Sequence, residues 1–146
     1  YTAAEVLGLI TLIEQEPQLF SEMSVLENLT IGVDKSVKEI DEIARNMGMG
    51  DILNKIPLDR KVLLQNAGLS GGEKKRLSIL RGLLRDTPIV ILDEPTAFVD
   101  KESGIAVLEN LKKNLKDRTV IITTHDREVL KFCDRIIDLQ EVKKQL

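Results

Sequence analysis

Apolar positions along this chain follow two alternating patterns. Short unbroken runs rich in β-branched residues, Leu9-Ile10-Thr11-Leu12-Ile13, Ile89-Val90-Ile91-Leu92 and Thr119-Val120-Ile121-Ile122-Thr123-Thr124, predict strands. Between them the apolar residues fall three and four apart: Val37, Ile40, Ile43 and Met47, then Leu77, Leu80 and Leu84, then Ile105, Leu108, Leu111 and Leu115. These spacings predict amphipathic helices opening at Ser36, over 71–85 and over 101–116. Four consecutive apolar residues in Ile89–Leu92 predict a strand covered on both faces of a parallel sheet. Residues 1–8 read as a short helix or a lead-in, Asp51–Lys55 and Asp126–Phe132 as short helices, and Arg135–Leu139 as a last strand. From residue 88 onward the order is β-α-β-α-β, which winds right-handed into a parallel sheet.

The polar residues at the boundaries agree with this reading. Ser24-Val25-Leu26-Glu27 and Ser36-Val37-Lys38-Glu39 fit the Ser-x-x-Glu capping box, and Gly48 is placed to end the second helix. Asp86-Thr87-Pro88 breaks the helix that Ser70 caps. Pro17 cannot continue a ladder, which puts Gln15 at the carboxyl end of the first strand or in the loop after it. Residues 21–69 carry no convincing strand and read as a helical insertion packed beside the sheet.

Composition narrows the class. The 146 residues are 42% hydrophobic and 31% charged, which suits one soluble globular domain with its own core. Aromatics are 3% with no Trp, so there is little on which single-stranded nucleic acid could stack. A net charge of -3 argues in the same direction against a general nucleic-acid or anionic-membrane binder. Cys133 is the only cysteine, so no internal disulfide forms, and it reads as a small buried apolar residue in a reducing setting. One histidine and one cysteine exclude a zinc constellation. No apolar run approaches the roughly 18 residues that a membrane span needs.

In open α/β sheets, ligands sit off the carboxyl ends of the strands. Here the predicted strands end in an amide, Gln15, in two carboxylates, Asp93-Glu94, and in an imidazole, His125. A carboxylate at a strand end suits Mg²⁺, directly or through water, and its neighbour can orient or deprotonate an attacking water. Asp-Glu-Pro also reads as a plain loop after a strand, and His125 as a structural histidine. Ser70-Gly71-Gly72-Glu73 is itself a capping box. Bare glycines in its first turn let a ligand approach the free N–H groups and the positive end of the helix dipole, so the helix start and an anion site are compatible readings.

Taken together, these residues resemble the ATP-binding cassette (ABC) family, the nucleotide-binding domains of ABC transporters. Leu69-Ser70-Gly71-Gly72-Glu73 is similar to the family signature, and Ile89–Glu94 to its Walker B strand with the catalytic glutamate. Ala97-Phe98-Val99-Asp100 sits where the family has its D-loop and keeps the aspartate, although the residues before it are atypical. His125 matches the switch histidine. Gln15, followed by Glu27-Asn28-Leu29, resembles the Q-loop and the start of the helical subdomain.

The resemblance implies a P-loop NTPase-like (RecA-like) α/β fold with an inserted helical subdomain. It implies an ATPase that works as a head-to-tail dimer with a second nucleotide-binding domain, using ATP and Mg²⁺ to drive a transmembrane partner, in the cytoplasm at the inner face of the cell membrane. Glu94 would be the general base and His125 the γ-phosphate contact. Asp93 and Gln15 would be Mg²⁺ partners. Ser70, Gly71, Gly72 and Glu73 would meet the ATP held by the opposite subunit, and Asp100 would communicate across the dimer. Residues 1–20 would end the first part of the catalytic core, 21–69 would form the helical subdomain, and 70–146 would return to the core.

No Gly-x-x-x-x-Gly-Lys-[Ser/Thr] loop occurs in the 146 residues. With Tyr1 as the first residue, the expectation is a fragment that lacks the N-terminal part of the fold and is inactive alone. A soluble family member acting on ribosomes or DNA, and a half-site subunit that hydrolyses nothing, are the competing expectations.

Overall fold

The three apolar runs predicted as strands pair side by side, because each supplies a backbone ladder and an apolar face. In the computed structural model, which describes residues 2–58 and 63–139, they are β1 (Ile10–Ile13), β2 (Ile89–Asp93) and β3 (Thr119–Thr123). All pairings are parallel and the spatial order is β1-β2-β3, with Ile13 opposite Leu92 and Asp93 opposite Thr123. The helices are α1 (Ala3–Gly8), α2 (Val25–Thr30), α3 (Val37–Asn46), α4 (Gly50–Lys55), α5 (Gly71–Leu83), α6 (Lys101–Asn114) and α7 (Arg127–Leu130), with a 3-10 turn at Leu64–Asn66.

Both crossovers run in the same direction across the sheet, so right-handed connections place α5 and α6 over one face. That face is sealed: Ile13, Val90 and Leu92 are buried. The approach of α5 is close enough that a Cβ on Gly82 would lie 2.7 Å from the Ile13 side chain. The opposite face is open at Leu12 and Ile121, and Ile89 and Ile91 are only half-buried. The expectation that β2 is covered on both faces is therefore met on one face only, since both of its neighbouring crossovers lie on the same side.

Helix starts follow their capping residues. Thr2, Ser24, Ser36 and Ser70 each form a complete capping box, and Asp100 and Asp126 cap α6 and α7. Gly48 follows α3 with φ +70, the left-handed conformation that glycine adopts without strain. The stop at Asp86 is held by an ion pair with Arg118. Helices α2 to α4 bury Val25, Leu29, Ile40, Ala44 and Ile52 in the same continuous core as the sheet and α5.

Three expectations change. Arg135–Leu139 is not a strand: Ile136, Ile137 and Leu139 are exposed, and the segment pairs with neither open edge of the three-stranded sheet. On α3 the buried stripe runs through Ile40, Ala44 and Met47, leaving Val37 exposed. On α6, Val107 joins Leu108 and Leu111 in the core while Ile105 is half-buried.

Candidate functional site

The register brings the exits of all three strands to one edge of the sheet. Glu94 leaves β2 with φ +43, a left-handed conformation unfavourable for a residue with a Cβ. Its side chain is 16% exposed and is held by the segment leaving β3. Oε2 accepts from the Thr124 hydroxyl at 3.0 Å, and Oε1 accepts from the His125 backbone N–H at 3.0 Å. The His125 ring places Nδ1 2.7 Å from the same Oε1 while 90% of the side chain faces solvent. Asp93 is half-buried, and its Oδ1 accepts from the Thr123 hydroxyl at 2.5 Å. Gln15 lies at the end of β1 with an exposed side chain, while its backbone carbonyl points inward and accepts from Lys75 Nζ at 2.8 Å.

A second cluster forms at the start of α5. Glu73 accepts the Ser70 backbone N–H at 2.7 Å, and Ser70 Oγ accepts the Glu73 N–H at 3.2 Å. The Glu73 carboxylate also binds Lys55 Nζ at 3.0 and 3.1 Å, and Lys55 donates to the Gly68 carbonyl as well, at 3.2 Å. The Ser70 N–H, together with Lys55, holds the Glu73 carboxyl below its ordinary range, with burial opposing. The two glycines differ. A Cβ at Gly71 would meet only Phe98 Cβ, at 4.0 Å, whereas one at Gly72 would lie 3.0 Å from the Phe98 carbonyl oxygen. Gly71 thus leaves an open approach to the helix end, and Gly72 is bare because the loop after β2 packs on it.

That loop carries Phe98, exposed and in a left-handed conformation with φ +67, and ends at Asp100. Asp100 accepts the Ser103 N–H at 3.0 Å as the N-cap of α6, and this bond holds its carboxyl below the usual range. The structure therefore groups Gln15, Asp93, Glu94 and His125 at the sheet edge. It places Ser70 to Glu73 beside the 97–100 loop.

Three participants escape the sequence patterns. Thr123 and Thr124 bind the two carboxylates, and Lys75 lies with 0% exposure beneath the sheet edge. Lys75 sits in the basic run Lys74-Lys75-Arg76 and looks like a solvated charge. Its one sequence signal is that Ile79, four residues on, shares the buried helix face. Burial pushes its ammonium down, against the pull of Asp93 and Glu94.

The groups present fit a nucleotide that brings its own metal. Among the described residues no three His, Cys, Asp or Glu side chains converge on a metal position. Mg²⁺ needs only one or two protein oxygens when phosphates and water supply the rest, which Asp93 and Gln15 can provide. The first-turn N–H groups of the 13-residue helix α5, behind an open Gly71, suit a phosphate.

Known proteins resemble the chain over most of its length. A family model described as ABC transporter matches residues 2–97. The chain is 37% identical over 141 residues to the mycobactin import ATP-binding/permease protein IrtA of Mycolicibacterium smegmatis, covering 95% of this chain and 16% of that protein. It is 32% identical over 145 residues to an ATP-dependent lipid A-core flippase of Xylella fastidiosa, covering 97% of this chain and 24% of the flippase. The chain thus spans a quarter or less of the length of these relatives. Among solved structures, a bacterial Atm1-family ABC exporter with ATP bound superposes with a TM-score of 0.75 at 26% identity, over 88% of this chain and 23% of that one.

Proposed function

Because this chain belongs to the ABC transporter family, we propose that it is the Q-loop to H-loop part of a nucleotide-binding domain that binds and hydrolyses ATP to drive transport across a membrane. The observation that carries this reading is Glu94, held by Thr124 and His125 at the carboxyl edge of the sheet and flanked by Asp93. ATP with Mg²⁺ supplies the phosphoryl group whose transfer to water releases the energy.

The chain's own residues divide the remaining work. Glu94 orients the attacking water and takes its proton, from a backbone that the 123–125 segment keeps in its strained conformation. His125, with most of its ring in solvent, is free to turn the ring N–H that faces Glu94 toward the terminal phosphate and donate to it there. Asp93 and the Gln15 amide hold the metal, and the Thr123 hydroxyl fixes the Asp93 carboxylate. The α5 start, Ser70 to Gly72, binds the nucleotide of a second domain arranged head to tail. Glu73 acts by building that helix end, and Asp100 by shaping the loop beside it.

Residues 1–20 and 70–146 form catalytic core, and 21–69 form a helical subdomain that faces a transmembrane partner from the cytoplasmic side. No described helix is long and apolar enough to cross a membrane. No Gly-x-x-x-x-Gly-Lys-[Ser/Thr] loop lies within these 146 residues, and the chain expressed alone is expected not to turn over ATP. In the intact protein, Glu94→Gln lowers Mg²⁺-ATP turnover at least 100-fold and leaves nucleotide binding in place. Undiminished turnover in Glu94→Gln, or Glu94-dependent turnover by the 146-residue chain alone, overturns the respective claim.

A further inference from the structure

The buried ammonium of Lys75 is the least expected charge in the molecule. Lysine is almost never fully buried unless its charge is partnered. Here Nζ donates to the Glu14 carbonyl at 2.8 Å, the Gln15 carbonyl at 2.8 Å and the Asp93 carbonyl at 3.3 Å. Three donors meet three acceptors, and every acceptor is backbone at a strand exit. Two lie where β1 gives way to the Gln15 loop and one where β2 gives way to Glu94.

Lys75 stands five residues after Ser70, about 7.5 Å along the axis at 1.5 Å per residue. Helix α5 thus begins at the half-site offered to a second domain's nucleotide, and about 1.4 turns after Ser70 it is fastened beneath the half-site of its own. An apolar residue could fill the space but could not hold two loop exits to the helix. A partnered, buried charge specifies one arrangement of the backbones around it.

We propose that Lys75 is a positioning residue that couples the two half-sites, so that engagement of Ser70–Gly72 by a nucleotide resets the backbone carrying Gln15 and Asp93. This rests on the function proposed above. A displacement of α5 on nucleotide contact moves the ammonium, and with it the backbone of Gln15 and Asp93, to which the metal is assigned, and of Glu14 beside them. A helix joined to the sheet by apolar contacts alone would slide without redirecting those groups.

The test uses the intact protein and Lys75→Met, which keeps the volume and removes all three donors. If the methionine variant does not fold, Lys75→Gln, which loses the charge and one donor and whose amide nitrogen lies one bond nearer the helix than Nζ, takes its place: a smaller rise confined to the same two segments is expected, and no rise there overturns the proposal. Hydrogen exchange is read at segments 13–17 and 93–97, with α3 as the internal reference. Exchange is expected to rise at least tenfold in both segments and to stay unchanged in α3. In steady-state kinetics, kcat falls tenfold or more, KM for ATP stays within threefold, and the Hill coefficient for ATP drops toward one. Unchanged exchange at the two segments overturns the proposal, as does an equal rise through α3 or retention of wild-type kcat and Hill coefficient. If the wild-type protein shows no Glu94-dependent turnover, the functional reading itself has failed, and the exchange result alone decides whether Lys75 is the tie.

Discussion

Substituting alanine at Gly71 and Gly72 in turn separates the structural from the binding use of the signature glycines. Both positions lie in the first turn of α5, so both variants gain the same helix propensity, up to about 1 kcal/mol and less near a helix end. Their surroundings differ. At Gly71 the new methyl meets only Phe98 Cβ at 4.0 Å, an ordinary contact. At Gly72 it lands 3.0 Å from the Phe98 carbonyl oxygen and 3.7 Å from Val99 Cα. Those are backbone atoms next to a residue already at φ +67, so relief requires moving the loop that leads to Asp100. Overpacking of this kind costs about 1–3 kcal/mol. Because the propensity gain cancels in the difference, Gly72→Ala is expected to be about 1–3 kcal/mol less stable than Gly71→Ala, by urea denaturation of the 146-residue chain. In the intact protein Gly71→Ala weakens ATP-driven turnover despite its stability, since the methyl closes the open approach to the helix end. Equal stability of the two variants would refute the packing argument, and full turnover in Gly71→Ala would refute its role in binding.

Two further outcomes follow from the contacts. Buried Asn28 accepts the Phe20 N–H at 2.8 Å and donates to the Phe20 and Ser24 carbonyls at 2.9 and 3.0 Å, closing the loop before α2. Asn28→Leu strands those groups and is expected to cost about 2–4 kcal/mol in urea melts, and a loss below about 0.5 kcal/mol contradicts this. Glu73 is held below the ordinary carboxylate range by the Ser70 N–H and Lys55, so its contribution to stability is complete above that range and fades as pH falls through the folded-state value. Wild type therefore loses more stability than Glu73→Gln between about pH 6 and about pH 3, and parallel melting curves across that window count against it.

What the sequence reveals of this protein is what is local or topological. A capping box is complete within four residues, so Ser24, Ser36 and Ser70 announce their helices unaided. The meeting of Gln15, Asp93, Glu94 and His125 follows from parallel strands alone. Features that depend on distant partners stay hidden. The burial of Lys75 needs carbonyls some sixty positions earlier in the chain. The glycine at 72 is demanded by a backbone oxygen at residue 98, which no pattern around Ser70 discloses. Arg135–Leu139 has the composition of a strand, yet it pairs with neither open edge of the sheet, and composition alone does not supply a ladder.

The central claim is that Ser70–Gly72 and Asp93–Glu94, though neighbours in sequence, serve two different nucleotides. Mixed pairs of the intact protein test it directly, with Ser70→Arg and Glu94→Gln either on the same subunit or one on each. If each nucleotide is shared between subunits, the pair carrying both changes on one subunit has two damaged sites and no turnover. The pair with the changes divided keeps one intact site and measurable turnover. The reverse result, with activity surviving when both changes share a subunit and vanishing when they are divided, would contradict the account.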